Sequence, residues 1–204
     1  SPKGIEIIDK NQLVRELLNN LSFELTNSQK ISIEEISNDL SKSDRMIRLL
    51  QGDVGSGKTI VALAGLFHTA GSLKQGAMMA PTELLARQHY EGIRDLCLKS
   101  NVSVNILTGK TKQKDKEIIL KDLKEGKIDI IIGTHALFQE KVVFNDLGLV
   151  VIDEQHRFGV HQRLSLTSKS KDYPPDILIM SATPIPRTLE LTAFGSMQVS
   201  RLLD

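Results

Sequence analysis

Apolar residues in this chain gather into short runs, separated by longer stretches in which they recur every three or four positions. Runs at 46–50, 75–80, 128–132, 147–152 and 177–180 are nearly unbroken, and 102–107 alternates. Runs of this length predict strands, and the unbroken ones predict strands buried on both faces. Between them the spacing turns helical. Residues 60–67 read as a helix laid on a sheet, Leu85, His89, Ile93 and Leu96 share one helical face, and Ile118, Ile119 and Leu123 belong to a lysine-rich helix over 110–127. Nearer the start, Leu13, Leu17, Leu18 and Leu21 predict a helix around 12–20. Ser28 is placed to cap a second helix whose Ile31, Ile36 and Leu40 align. Strand alternating with helix predicts an α/β fold: a mainly parallel, doubly wound sheet with helices on both faces.

The polar residues add a second regularity. Clusters follow the ends of successive strands: residues 52–59, Pro81-Thr82-Glu83, Thr108-Gly109, Gly133-Thr134-His135, Asp153-Glu154 and Ser181-Ala182-Thr183. In an open parallel sheet these loops share the edge where ligands bind. Residues 52–59 fit the pattern G-x-x-x-x-G-K-[ST], set between a predicted strand and a predicted helix. A triphosphate needs converging backbone N–H groups, and Gly52, Gly55 and Gly57 leave room for them, with Asp53 and Ser56 between. The following helix start adds its dipole. Lys58 would reach the β- and γ-phosphates of ATP, and the Thr59 hydroxyl would ligate Mg²⁺. About a hundred residues later, Asp153 emerges from a buried run, placed to hold Mg²⁺ through water, and Glu154 to orient the attacking water.

Composition changes this picture little. Apolar content of 40% and charged content of 25% suit one sizeable globular domain in 204 residues. The formal net charge of +1 gives no overall sign of a nucleic-acid binder, so any basic surface is local. The lysines of 110–127 make such a patch, which reads as a solvated face ahead of a binding surface. Cys97 is the one cysteine and lies in an apolar helical stripe, which excludes an internal disulfide and fits a reducing, cytoplasmic setting. No stretch approaches the roughly 18 apolar residues of a membrane span. The chain opens Ser1-Pro2 and stops at Asp204 in mid-pattern, so both ends are expected to be cuts in a longer protein.

The strings LTNSQ, LLQGDVGSGKT, APTELLARQH, LTG, GTHALFQ, VIDEQHRFGV and MSATPIPRTL, in this order, resemble the first motor lobe of superfamily 2 helicases. Among these they are most similar to the RecG family of branched-DNA translocases. The transcription-repair coupling translocases share part of the set. Their acidic motif carries a second Glu where this chain has Gln155, and their loop usually lacks Ser56.

The resemblance implies a RecA-like P-loop domain over 25–204, with 1–24 as an N-terminal linker and helical segment. It implies catalytic roles for Lys58, Asp153 and Glu154, an adenine contact for Gln29, and coupling roles for Gln155, His156, Ser181 and Thr183. Gln29 reads alternatively as a solvated first-turn glutamine, and His156 as a helix-start histidine satisfied by its neighbours. DNA backbone contacts are implied for Thr82, Arg87, Gln88, Thr108, Gly109, Lys110, Thr134 and His135. Arg187 is expected to bind a neighbouring carboxylate rather than act as an arginine finger. The implied activity is ATP-dependent translocation on double-stranded DNA, remodelling stalled forks and Holliday junctions in recombination and repair. A second motor lobe and a wedge domain would be partners within one monomeric protein, and without them residues 1–204 would bind ATP–Mg²⁺ weakly, hydrolyse it very slowly and not unwind DNA. The alternatives are the transcription-repair coupling translocase and a non-catalytic ATP-dependent binding module.

Overall fold

The computed structural model describes residues 2–153, 169–170, 172–182 and 197–203. Seven strands form one sheet: β1 (Ile47–Gly52), β2 (Gln75–Met79), β3 (Val104–Leu107), β4 (Ile130–Gly133), β5 (Leu147–Asp153), β6 (Asp176–Ser181) and β7 (Gln198–Leu202). Every neighbouring pair is parallel, in the order β3-β4-β2-β5-β6-β1-β7. Five α-helices accompany them among the described residues: α1 (Leu13–Asn19), α2 (Asn27–Leu40), α3 (Lys58–Ala70), α4 (Glu83–Lys99) and α5 (Gln113–Lys124). A 3₁₀ turn, His135–Phe138, follows β4.

Strand alternation sorts the core onto two faces. Leu50, Met78, Ile130, Ile132, Leu149, Val151, Leu178 and Met180 meet α1 to α4, through Leu17, Ile36, Phe67, Ile93 and Cys97 among others. Their neighbours Leu49, Ala77, Met79, Ile131, Val150, Ile152, Ile177 and Ile179 meet Ile119 and Leu123 of α5 on the opposite face. A parallel sheet has to be covered in this way, because the side chains on both faces are mainly apolar. The expected fold class is therefore the observed one. Cys97 is fully buried within the first cluster, and burial, reinforced by Asp129, pushes its thiol up to about 12, an inert core thiol.

Three local features differ from expectation. Thr26, not Ser28, caps α2: its hydroxyl accepts from Gln29 N, and Gln29 Oε1 accepts from Thr26 N. That reciprocal pair is the capping box of a T-x-x-Q sequence, and it satisfies two backbone donors at once. The lysine-rich helix starts at Gln113 rather than 110, because Thr108 and Thr111 close a turn ahead of it (Thr111 N to Thr108 O, 3.2 Å; Thr108 N to Thr111 Oγ1, 3.0 Å). The N-terminal segment lays Ile5, Ile7 and Leu17 into the main core. Asp9 accepts there from Leu13 N and Val14 N at 3.0 Å, starting α1.

Away from the C-terminal strand ends, Arg48 and Asp176 are charged residues buried in this apolar frame. Arg48 of β1 is 7% exposed and spans α2 and β7, bonding Asp39 Oδ2 (3.3 Å from Nη2) and Ser200 Oγ (2.9 Å from Nη1). Asp176, at the start of β6, is fully buried and accepts from Met46 N at 2.8 Å. Burial pushes its carboxyl up to about 8; the bond from Met46 and the Arg45 charge oppose the rise, and Asp39 adds to it. The folded state therefore holds a proton through the window from the unfolded carboxyl value near 4 up to about 8, and stability from this group is lost as pH rises through that window. Asp176→Asn keeps the acceptor and removes the titration. It is expected to raise Tm by about 2–4 °C for each 1 kcal/mol relieved, with the gain widening from pH 5 to pH 8. Thermal melts across that range check it, and a gain independent of pH contradicts it.

Candidate functional site

The strand order divides the rim. The loop at 52–59 leaves β1, Ser181 ends β6 and Asp153 ends β5, and these three strands are adjacent. In register, Gln51 lies beside Ser181, and Asp153 beside Met180. Thr82 follows β2, Thr108 follows β3 and Thr134 follows β4, and these are adjacent too. The residues expected around ATP and those expected on DNA thus occupy two contiguous halves of one edge, meeting at the seam between β2 and β5.

On the first half, the loop after β1 turns through Gly55 (φ 84°) and Gly57 (φ 82°), the latter standing at the N-cap of α3. Side-chain-bearing residues rarely hold that conformation. Lys58 Nζ folds over the loop, donating to Gly52 O (2.6 Å) and Asp53 O (3.1 Å). The loop is closed by Ser56 N donating to Asp53 O at 3.0 Å. Thr59 lies in the first turn of α3. Ser56 turns its hydroxyl inward, where it is buried without a partner among the described residues, and a Cβ on Gly52 would overlap it. What Ser56 offers a phosphate is its backbone.

Gln29 is buried and fully anchored. Its Oε1 accepts from Thr26 N at 2.9 Å and its Nε2 donates to Ser56 O, inside the loop, at 3.2 Å. The solvated-glutamine alternative is excluded by that burial. The carboxamide stands against the phosphate loop, with one lone pair and one N–H beyond those two bonds.

Asp153 is 8% exposed, and its Oδ2 lies 2.7 Å from Nε2 of His89 in α4. A carboxylate only accepts, so the ring nitrogen donates. His89 is the site residue that sequence reasoning missed. Its spacing makes it one member of an apolar helical stripe, and the available signal is a polar ring on a helix face turned toward a sheet edge. Glu154, Gln155, His156, Thr183 and Arg187 lie outside the described residues. Ser181 is 7% exposed.

On the second half, Thr82 is exposed and caps α4, its hydroxyl accepting from Leu85 N at 3.2 Å. Arg87 and Gln88 project from the next turn, with Arg87 Nε 3.0 Å from Glu83 Oε1. Gly109, Lys110 and His135 are exposed and Thr134 half-buried. Thr108 corrects the expectation of a direct DNA contact: it is 1% exposed, and its hydroxyl accepts from Lys110 N at 3.2 Å, so it shapes the turn that presents Lys110. A groove of about 390 Å³ runs beside them, lined by Arg87, Lys110 and Lys112 among others.

A phosphate-loop fold at the end of one strand and an acid at the end of another, on a wholly parallel sheet, define a RecA-like nucleotide-binding lobe. Comparison with known proteins makes the class particular. The DEAD/DEAH box helicase family matches residues 26–192, and the chain belongs to that family. It is 48% identical over 202 residues to the ATP-dependent DNA helicase RecG of Staphylococcus epidermidis, and 50% identical over 198 residues to that of Bacillus subtilis. These alignments cover 99% and 97% of this chain and 29% of each relative, so the chain spans less than a third of their length. A structure of RecG bound to a three-way DNA junction matches 100% of the chain and 26% of its own, with TM-score 0.82 and 45% identity. The DEAD-box helicase Mss116, at 17% identity and TM-score 0.73, covers 100% of this chain and 47% of its own, and shares the fold. The expected resemblance to RecG is borne out over nearly the whole chain.

Gly55 and Gly57 separate two costs of a side chain. Both have positive φ, but a Cβ on Gly55 meets nothing, whereas one on Gly57 overlaps Gln29 Nε2. Gly57→Ala is therefore expected to weaken binding of a fluorescent ATP analogue by about tenfold more than Gly55→Ala, which carries backbone strain of roughly 1–2 kcal/mol alone. Equal losses in the two titrations would contradict the Gln29 contact.

Proposed function

We propose that residues 25–204 are the ATP-binding motor lobe of a double-stranded DNA translocase. That translocase would remodel branched DNA, such as stalled forks and Holliday junctions, in recombination and repair, and residues 1–24 pack beside the lobe. One observation carries the reading: the strand ends that bear the residues expected around nucleotide are contiguous on one sheet edge, as are those that bear the residues expected on a phosphate backbone. A small-molecule kinase would have no use for the second half. The similarity of nearly the whole chain to RecG supports the same conclusion, and the RecG structure bound to a three-way junction supports branched DNA as the substrate class.

In this reading the amides of 55–59 and the Lys58 ammonium hold the β- and γ-phosphates, and Lys58 exchanges its bonds to Gly52 O and Asp53 O for phosphate oxygens. The donor set fits Mg²⁺, a hard cation that takes oxygen ligands: Thr59 and Asp153 would hold it through a hydroxyl and a carboxylate. Mg²⁺ would neutralise charge on the transferring phosphoryl group. Glu154 orients the attacking water, and Gln155, His156, Ser181 and Thr183 report the nucleotide state toward the DNA side. Thr82, Arg87, Gln88, Gly109, Lys110, Thr134 and His135 hold DNA through its backbone, without sequence preference. A second motor lobe and a wedge domain are the proposed intramolecular partners, in a monomeric cytoplasmic protein. No helix among the described residues is long and apolar enough to cross a membrane.

DNA-stimulated ATPase of the full-length protein tests the motor. Lys58→Ala is expected to lower turnover about a hundredfold or more, and Glu154→Gln to abolish turnover while retaining ATP binding. A Glu154→Gln protein that hydrolyses ATP like its parent would instead favour the non-catalytic binding module. Lys110→Ala is expected to weaken DNA binding to a similar degree on unrelated sequences and to reduce the slope of log affinity against log salt by about 1. A salt slope equal to the parent's would remove Lys110 from the DNA surface.

A further inference from the structure

The seam between the two halves of the rim is bridged by one polar contact among the described residues that involves a proposed catalytic group: His89 Nε2 to Asp153 Oδ2, 2.7 Å. Both side chains are nearly enclosed, at 13% and 12% exposure. His89 belongs to α4, the helix that Thr82 caps and from which Arg87 and Gln88 project to solvent. The opposite face of α4 is fixed on the sheet by Ala86, Ile93 and Cys97, which are 0%, 2% and 0% exposed. The imidazole is therefore not free to follow Asp153; its position is set by the seating of the helix.

We propose that His89 is a positioning residue that ties the DNA-facing helix α4 to the metal-binding carboxylate Asp153; the inference rests on the motor reading above. By holding Oδ2, the ring fixes the rotamer of Asp153, the carboxylate through which Mg²⁺ would be held. Metal ligands commonly depend on such outer partners, and a hydrogen bond of this length does not survive a displacement of 1 Å. A phosphate backbone held by Thr82, Arg87 and Gln88 of α4 is thereby linked to the aim of Asp153 through one hydrogen bond. Occupancy of the nucleotide site returns through the same bond. The residue does not touch ATP, so its effect is on how DNA and Mg²⁺ support hydrolysis.

The test uses the full-length protein with three substitutions. His89→Leu removes the donor and keeps bulk, and His89→Gln keeps an N–H at similar reach. Lys58→Ala reports on the motor reading itself. Bonds to a charged group are worth enough that His89→Leu is expected to raise about tenfold the Mg²⁺ concentration needed for half-maximal binding of a non-hydrolysable fluorescent ATP analogue. The same change is expected to cut the ratio of DNA-stimulated to basal ATPase by about tenfold at saturating Mg²⁺. Nucleotide-free DNA affinity stays at the parent's value, Tm falls by a few degrees because the enclosed Asp153 carboxylate loses its donor, and His89→Gln recovers most of all three losses. The proposal is overturned if His89→Leu keeps the parent's Mg²⁺ requirement and stimulation ratio. It is equally overturned if the losses come with a lowered Tm and weakened nucleotide-free DNA binding that His89→Gln does not restore, since the histidine is then only structural. A parent without DNA-stimulated ATPase, or one indifferent to Lys58→Ala, would instead overturn the motor reading.

Discussion

Everything in this domain depends on seven strands running in one direction. A wholly parallel sheet buries both faces under helices, so polar side chains are pushed to the strand ends, and all the C-terminal ends lie on one edge. The phosphate loop, Asp153 and Ser181 share that edge without pointing at one another through the core. Their proximity follows from strand adjacency, β5 beside β6 beside β1, and from parallel register. An antiparallel reversal anywhere in that trio would carry one of the three groups to the far side of the molecule.

The residues announced this architecture well, and for physical reasons. Continuous apolar runs such as Ile130-Ile131-Ile132 can only be buried on both faces, and the glycine loop between a strand and a helix has few uses besides phosphate. Strand order was not readable. Sequence gives succession, and β2, which follows β1 in the chain, lies three places from it in the sheet. Without that order the six strand-end clusters could be placed on one rim but not divided into two halves. The same limit hid His89: helical spacing put it correctly on the inner face with Ile93, and only the sheet shows that Asp153 waits at that height.

Thr108 and Ser28 show a second limit, at the scale of single hydroxyls. A threonine after a strand can face a ligand or close a turn, and a serine near a helix start can cap it or not. Thr108 closes its turn because Lys110 N and Thr111 Oγ1 are within reach; Ser28 yields the cap to Thr26 because Gln29 completes the box from three residues on. These choices are decided by differences of about 1 kcal/mol between local hydrogen bonds, which composition and spacing do not resolve.

Gln29 joins the two scales. A glycine-rich loop with positive φ at two positions has little besides the Lys58 side chain with which to hold itself, so part of its shape must be supplied from elsewhere. Gln29 supplies it: one end of the carboxamide completes the cap of α2, and the other holds Ser56 O. The start of α2 is itself tied to the residue after β7, through Ser28 Oγ accepting from Leu203 N at 3.2 Å, and Glu35 on the same helix accepts from Ser200 Oγ of β7 at 3.0 Å. The phosphate loop is thus braced by a helix that is also bonded to the edge strand β7. A change at Gln29 therefore costs the loop its support before any contact with adenine is considered, and variants there have to be judged by loop geometry as well as by base selectivity.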